Sequence, residues 1–421
     1  MTQPQRIAYR LFAQAVLLLL LHAAAALLSG VKFLPFDPLA ISLPFHKINP
    51  LANALLHLAI LSGLLGGGLY AAADAFPAFN RRSLTWIRLA SHLWTLVALL
   101  TVLLGLLDVA LPLALAQLAA VALVLAGVLT AARSLTPPLL VWAVGIGLAC
   151  LGGLLGLLTP ADPWADALLS ALASGITINI AYPLAGLALL FWLMHRFSNV
   201  TPRWAERGVY TCGGLAALSG TLVTLAALHT LASTPLLRIV GTLSVILVPI
   251  MYGIIAAHSY RAFSDRNPTA TLAAHWSALA VLLYGLGIGL VGGLLAHEGL
   301  RLHAAGTRLI DLQTALTLMG STAVGLAMIN QAGAELRGHN RRITGLMPFW
   351  MVAGGVLGGG LALGAAGIVQ VYLERVLSVG YLETQTLLVP LYALWLLGLL
   401  ATAGGLLIYA LGFWARRPAA R

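Results

Sequence analysis

The chain has 421 residues, 60% of them hydrophobic and 8% charged, with a formal net charge of +11 and a mean hydropathy of +0.96. A soluble protein carries about 25% charged residues, so the composition excludes an ordinary soluble domain and predicts one all-α transmembrane domain over residues 1–421. The basic balance does not point to nucleic acid, because no basic stripe with interleaved aromatics is present.

Twelve apolar runs approach or exceed the roughly 20 residues needed to cross a bilayer. They cover residues 9–30, 49–76, 84–107, 109–132, 138–159, 166–195, 208–232, 236–260, 270–296, 308–333, 345–373 and 384–414. The first follows a short basic start, Arg6 and Arg10, as a secretion signal would. No convincing small-residue cleavage site follows, so it reads as a retained span. The third and fourth runs are parted only by Asp108 and the nearby Pro112.

Lys and Arg in the short loops set the orientation. With both termini cytoplasmic, the inner set is Arg6, Arg10, Arg81, Arg82, Arg88, Arg133, Arg196, Arg203, Arg207, Arg261, Arg266, Arg337, Arg341, Arg342, Arg416, Arg417 and Arg421. The outer set is Lys32, Lys47, Arg238, Arg301, Arg308 and Arg375, so seventeen basic residues face six. An odd number of spans would scramble this alternation. Asp37, Asp108, Asp162, Asp166, Glu298, Asp311, Glu374 and Glu383 nearly balance the outer face. Prolines mark loop edges (Pro35, Pro38, Pro44, Pro50, Pro160, Pro163, Pro235), whereas Pro183 and Pro249 fall inside spans and predict kinks there. No internal repeat relates the two halves beyond a shared Gly, Leu and Ala bias. Cys150 and Cys212 lie in apolar runs without CxxC spacing and read as small buried hydrophobes.

Ionisable residues at membrane depth are functional candidates by default. Here they are His22, His57, His92, His229, His258 and His275. A neutral imidazole bonded to a carbonyl is the commoner role for each, and no pair has the i, i+4 spacing of a metal-binding helix face. His57 and His229 are the most suggestively placed. Asn53, Asn179, Tyr182, Gln313, Thr314, Asn330, Gln331 and Gln370 either bond between helices or line a small polar cavity. Asp74 and Glu335 lie near cytoplasmic helix ends. Trp86, Trp94, Trp164, Trp204, Trp350, Trp414, Tyr372 and Tyr381 fit an aromatic belt, with Trp142, Trp192 and Trp395 deeper.

The eleventh run, LMPFWMVAGGVLGGGLALGAAGIVQVYL, holds no charge before Glu374 and contains seven glycines: Gly354, Gly355, Gly358, Gly359, Gly360, Gly364 and Gly367. In lipid such small residues let neighbouring helices approach closely. PFWMVAGGVLGGGLALGAAGIVQ resembles the eleventh helix of subunit I of the haem-copper oxidase superfamily, in the cbb-type oxidase and nitric oxide reductase branch. Leu382 to Trp414 is similar to that branch's twelfth helix. Leu228 to His297 resembles its region from the end of helix seven through helix nine, FHKINPLANALL the start of helix two, and NIAYPLAGLALLFWLMHRF helix six.

The resemblance implies a twelve-helix bundle in a bacterial-type inner membrane. It also implies six histidine ligands for two haems and a copper or iron: one on helix two, one on six, a pair on seven and an H-x-H on ten. The matching positions here are Ala52, Ala181, Ala226, Ala227, Thr314 and Leu316, and the family's tyrosine upstream of the pair falls near Gly220. None of the six ligand-position side chains can bind haem iron or copper. His57 and His229 stand five and two residues from matched positions, and at about 100° per residue they face elsewhere. The expectation is therefore a redox-inactive relative: no catalytic residue, no metal site, and His57 and His229 as the weak candidates for cofactor binding. The bilayer and possibly another respiratory or denitrification subunit are the expected partners. A small-solute transporter using Asn179, Tyr182, Thr314 and Asn330, and a haem protein using the displaced histidines, are the alternatives.

Overall fold

The computed structural model describes residues 2–35, 44–76, 79–105, 110–131, 135–231, 234–337 and 343–415. Asp37, Pro38, Asp108, Arg133, Arg341, Arg342, Arg416, Arg417 and Arg421 lie outside them. Twelve helices are long and apolar enough to cross a membrane. They are α1 (Gln3–Val31), α2 (Phe45–Ala75), α3 (Arg81–Leu104), α4 (Ala110–Ala131), α5 (Pro137–Leu155), α6 (Pro163–Phe197), α7 (Pro202–Ala227), α8 (Pro235–Ser264), α9 (Thr271–Leu295), α10 (Arg308–Arg337), α11 (Met347–Val376) and α12 (Val389–Ala415). Among the described residues there is no strand, only a lone bridge between Ser198 and Arg266.

Local chemistry sets many of the helix starts. Asn80 accepts from the Ser83 amide at 2.7 Å to cap α3, Asp162 accepts from Trp164 and Ala165 to cap α6, and Thr201 and Thr234 cap α7 and α8. Proline occupies the first turn of α5, α6, α7, α8 and α11, where its missing N–H costs nothing.

The bundle has a centre and a rim. α2, α6 and α10 are the most enclosed spans, while α4, α8 and α12 are the least. α2 and α10 cross where Gly63 meets the Gly325 backbone, and a methyl on Gly63 would lie 3.1 Å from the Gly325 Cα. Trp142 of α5 lies across Gly68 of α2 and donates to the Leu64 carbonyl at 3.0 Å. Small residues at these crossings replace the hydrophobic drive that lipid does not supply.

The eleventh span is packed through distinct glycine faces. Gly355 and Gly359 meet Gly398 of α12, Gly360, Gly364 and Gly367 meet Leu312 and Leu309 of α10, and Gly354 and Gly358 face open space. The two ends of the bundle also separate as alternation requires. At one end Tyr9 stacks on Phe413 at 5.6 Å and Arg337 donates to the Phe413 carbonyl. At the other, Arg308 lies over the Phe33 ring at 4.4 Å and within 5.7 Å of the Tyr392 ring. The start of α1 and the end of α12 therefore share a side.

Several expectations are corrected. The 208–232 run ends as an α-helix at Ala227, so His229 sits in a single 3₁₀ turn beyond the span. The 384–414 run divides into Tyr381–Leu387 and α12. Trp94 is no belt residue: it is buried and donates to Ser62 Oγ at 2.9 Å. Pro249 does lie inside a span, within α8. In α6 the chain widens to a π-helix over Ile176–Ala181, immediately before Tyr182 and Pro183. Such segments recur at functional sites.

Candidate functional site: a polar cavity beside His57

The π-turn brings Tyr182 against His57. Its hydroxyl lies 3.0 Å from His57 Nδ1, joining α6 to α2. In the tautomer in which the tyrosine hydroxyl donates to Nδ1, Nε2 carries the ring proton. The pair borders a cavity of about 320 Å³ enclosed by α2, α4, α5 and α6. Gln117, Cys150 and Thr177 supply its remaining polar groups, and Leu61, Leu118 and Val121 its apolar wall. The sequence reading singled out His57 and Tyr182 but missed Gln117 and Thr177. The missed signal was simple: Gln117 is the only amide side chain in α4.

Pro183 has a second consequence. It cannot donate an amide to the Asn179 carbonyl four residues earlier. That carbonyl faces Gly220 of α7, where an added methyl would lie 2.1 Å from the oxygen. The Asn179 side chain meanwhile bonds Thr224 and Gln313, each at 3.3 Å, linking α6, α7 and α10. Above it, Tyr284 donates to Ser321 Oγ at 3.0 Å. Bonds of this kind contribute about 0.6 kcal/mol each. The amides read as cavity candidates are thus spent in separate contacts: Asn330 donates to the Ile343 carbonyl and Gln370 to Glu374.

The other histidines are scattered. His22 bonds the Ala52 carbonyl at 2.8 Å, His275 the Thr271 carbonyl at 2.6 Å, and His258 stacks on Trp204 at 4.8 Å. His92 is exposed on α3. His229 is buried against Gly241. Burial holds its imidazole below the ordinary histidine value, and nearby Glu298 pulls the other way. Burial likewise lowers the neighbouring Arg301 guanidinium. His57 and His229 therefore face different neighbours and do not form one site. Among the described residues, no group of three or more His, Cys, Asp or Glu is placed to hold a metal ion.

A charged cluster lies at the opposite end from His229. Arg196 bridges Asp74 at 2.5 Å and Glu335 at 3.7 Å and lies 4.7 Å from the Trp192 ring centre. Tyr70 donates to the same Glu335, and Gln331 bonds its other oxygen at 3.0 Å. The cluster pins together the ends of α2, α6 and α10.

The positions matched to oxidase ligands do not fit a haem or copper. Ala52, Ala181, Ala226 and Leu316 are buried. The Ala181 carbonyl lies 3.0 Å from where Gly145 would carry a methyl, and Leu316 Cβ 3.1 Å from that of Gly287. Helix contacts meet the backbone of Ala181 and the side chain of Leu316, and the His22 ring lies on the Ala52 carbonyl. A scan against protein-family models returns no match, and no curated protein matches the sequence.

Proposed function

We propose that the chain is a redox-inactive relative of haem-copper oxidase subunit I, acting in a bacterial-type inner membrane as a non-catalytic partner or assembly subunit of a respiratory or denitrification complex. One observation carries this reading: the three most enclosed spans are α2, α6 and α10. These are three of the four helices to which the resemblance assigns metal ligands, yet each presents alanine, threonine or leucine at the matched position. Further support comes from the number of spans and from the order of the resembling segments along the chain. A scaffold that keeps its central helices while filling them with small side chains can still offer an oxidase-like outer surface to other subunits.

Chemical crosslinking in native membranes, followed by affinity purification of the full chain, tests the proposal. The expected result is recovery of haem-bearing membrane subunits in near-stoichiometric amount. Recovery of the chain alone, with the crosslinker shown to capture a known membrane complex in the same sample, overturns it.

A further inference from the structure

We propose that the cavity beside His57 binds a neutral, lipid-soluble molecule whose polar end carries carbonyl oxygens, admitted from the bilayer between α2, α4 and α5. This goes beyond the scaffold reading and stands independently of it. The volume, about 320 Å³, is at the lower end of small-molecule sites, roughly 300–1,000 Å³. It would suit a headgroup whose tail remains in lipid. Among the described residues no Asp, Glu, Lys or Arg lines the cavity, so a charged ligand would lie at membrane depth without compensation.

The polar groups are rich in donors. With Tyr182 donating to Nδ1, His57 presents Nε2–H. Among the described residues Gln117 forms no hydrogen bond, leaving its N–H₂ and carbonyl unspent, and Thr177 is equally unspent. Thr95, Thr101, Thr221, Thr317, Thr322 and Thr402 return their hydroxyls to the carbonyl four residues earlier. Thr177 lies in the π-turn and does not. Three unspent donors call for acceptor oxygens, and a carbonyl group supplies them without charge. Leu61, Leu118, Val121 and Ala149 would hold the apolar remainder. Ala54, Gln117, Leu118 and Cys150, on α2, α4 and α5, are half-buried lining residues on the side from which entry is proposed.

Cys150 provides a built-in reporter, since it lines the cavity and the only other cysteine, Cys212, is buried. The full chain carrying Cys212→Ala would be placed in phosphatidylcholine nanodiscs. Alkylation by N-ethylmaleimide would then be followed by intact mass with added decylubiquinone, added dioleoylglycerol, or neither. The expected result is alkylation of Cys150 that slows at least fivefold, saturably, with one of the two. Protection by the first identifies a quinone-type headgroup, and protection by the second a glyceride ester. Gln117→Leu and His57→Leu should remain alkylated but lose that protection; Gln117 lies on the rim, so its variant keeps the test open if His57→Leu does not fold. Unprotected alkylation with both molecules, or no alkylation of Cys150, overturns the proposal.

Discussion

Replacing Gly220 by alanine adds one methyl group at the contact between α6 and α7. That methyl would sit 2.1 Å from the Asn179 oxygen and 2.7 Å from its carbon. Both belong to the backbone, so no side chain can rotate away, and the helices must part by more than an ångström. Overpacking of this kind costs about 1–3 kcal/mol. The same parting would strain the Asn179–Thr224 and Asn179–Gln313 bonds, placing Gly220→Ala at the upper end. Gly214→Ala, two turns earlier in α7, meets nothing within 4 Å, and alanine favours a helix over glycine by up to ~1 kcal/mol. Thermal unfolding in detergent, read by thiol-reactive dye or by aggregation of a fluorescent fusion, should show a clear drop for Gly220→Ala and no loss for Gly214→Ala. Equal midpoints for the two variants would refute the close approach of α6 and α7 at this point.

Other outcomes follow from the same geometry. Arg196→Met should lower stability by about 1 kcal/mol, a modest figure because Asp74 is nearly half exposed. Adding Glu335→Gln should recover part of it in a double-mutant cycle, since the like charges of Asp74 and Glu335 then no longer face each other. Gly398→Val, whose Cβ would lie 2.6 Å from the Gly359 Cα, should loosen α11 from α12 and cost about 1–3 kcal/mol, whereas Gly358→Val faces open space and should be near neutral. His229 makes stability depend on acid. Its folded value is lowered by burial, so below about pH 6.5 the unfolded chain binds the proton first and stability falls with pH until the folded value is reached. Unfolding midpoints at pH 8 and pH 5 should therefore differ more for the native chain than for His229→Leu, and an equal difference in both would contradict the burial.

The span count was legible because crossing a bilayer demands length and hydropathy that few other structures need. Proline at loop edges located some of the starts, as at Pro163 and Pro235. What the helices do to one another was not legible. Sequence spacing cannot tell which face of α2 meets α6, so the His57–Tyr182 contact and the cavity beside it emerged only from tertiary packing. Gln117 was visible as a lone amide in an apolar run and was passed over. The Asp74–Arg196–Glu335 cluster was nearer to hand: each lies close to the same end of an even-numbered span, where opposite charges on central helices tend to meet. His229 was misplaced for a physical reason, since the run of apolar residues continues past the point where the helix tightens into a 3₁₀ turn. The glycines of α11 correctly announced close packing, and the structure divides them among α10, α12 and open space.

We propose a scaffold kept without its redox centre. The direct measurement is the haem and copper content of the purified full chain, by reduced-minus-oxidised spectra and elemental analysis, after expression in cells that load an authentic oxidase. The expected result is no stoichiometric Soret band and no stoichiometric copper. One haem per chain, or bound copper in equal amount, would contradict it.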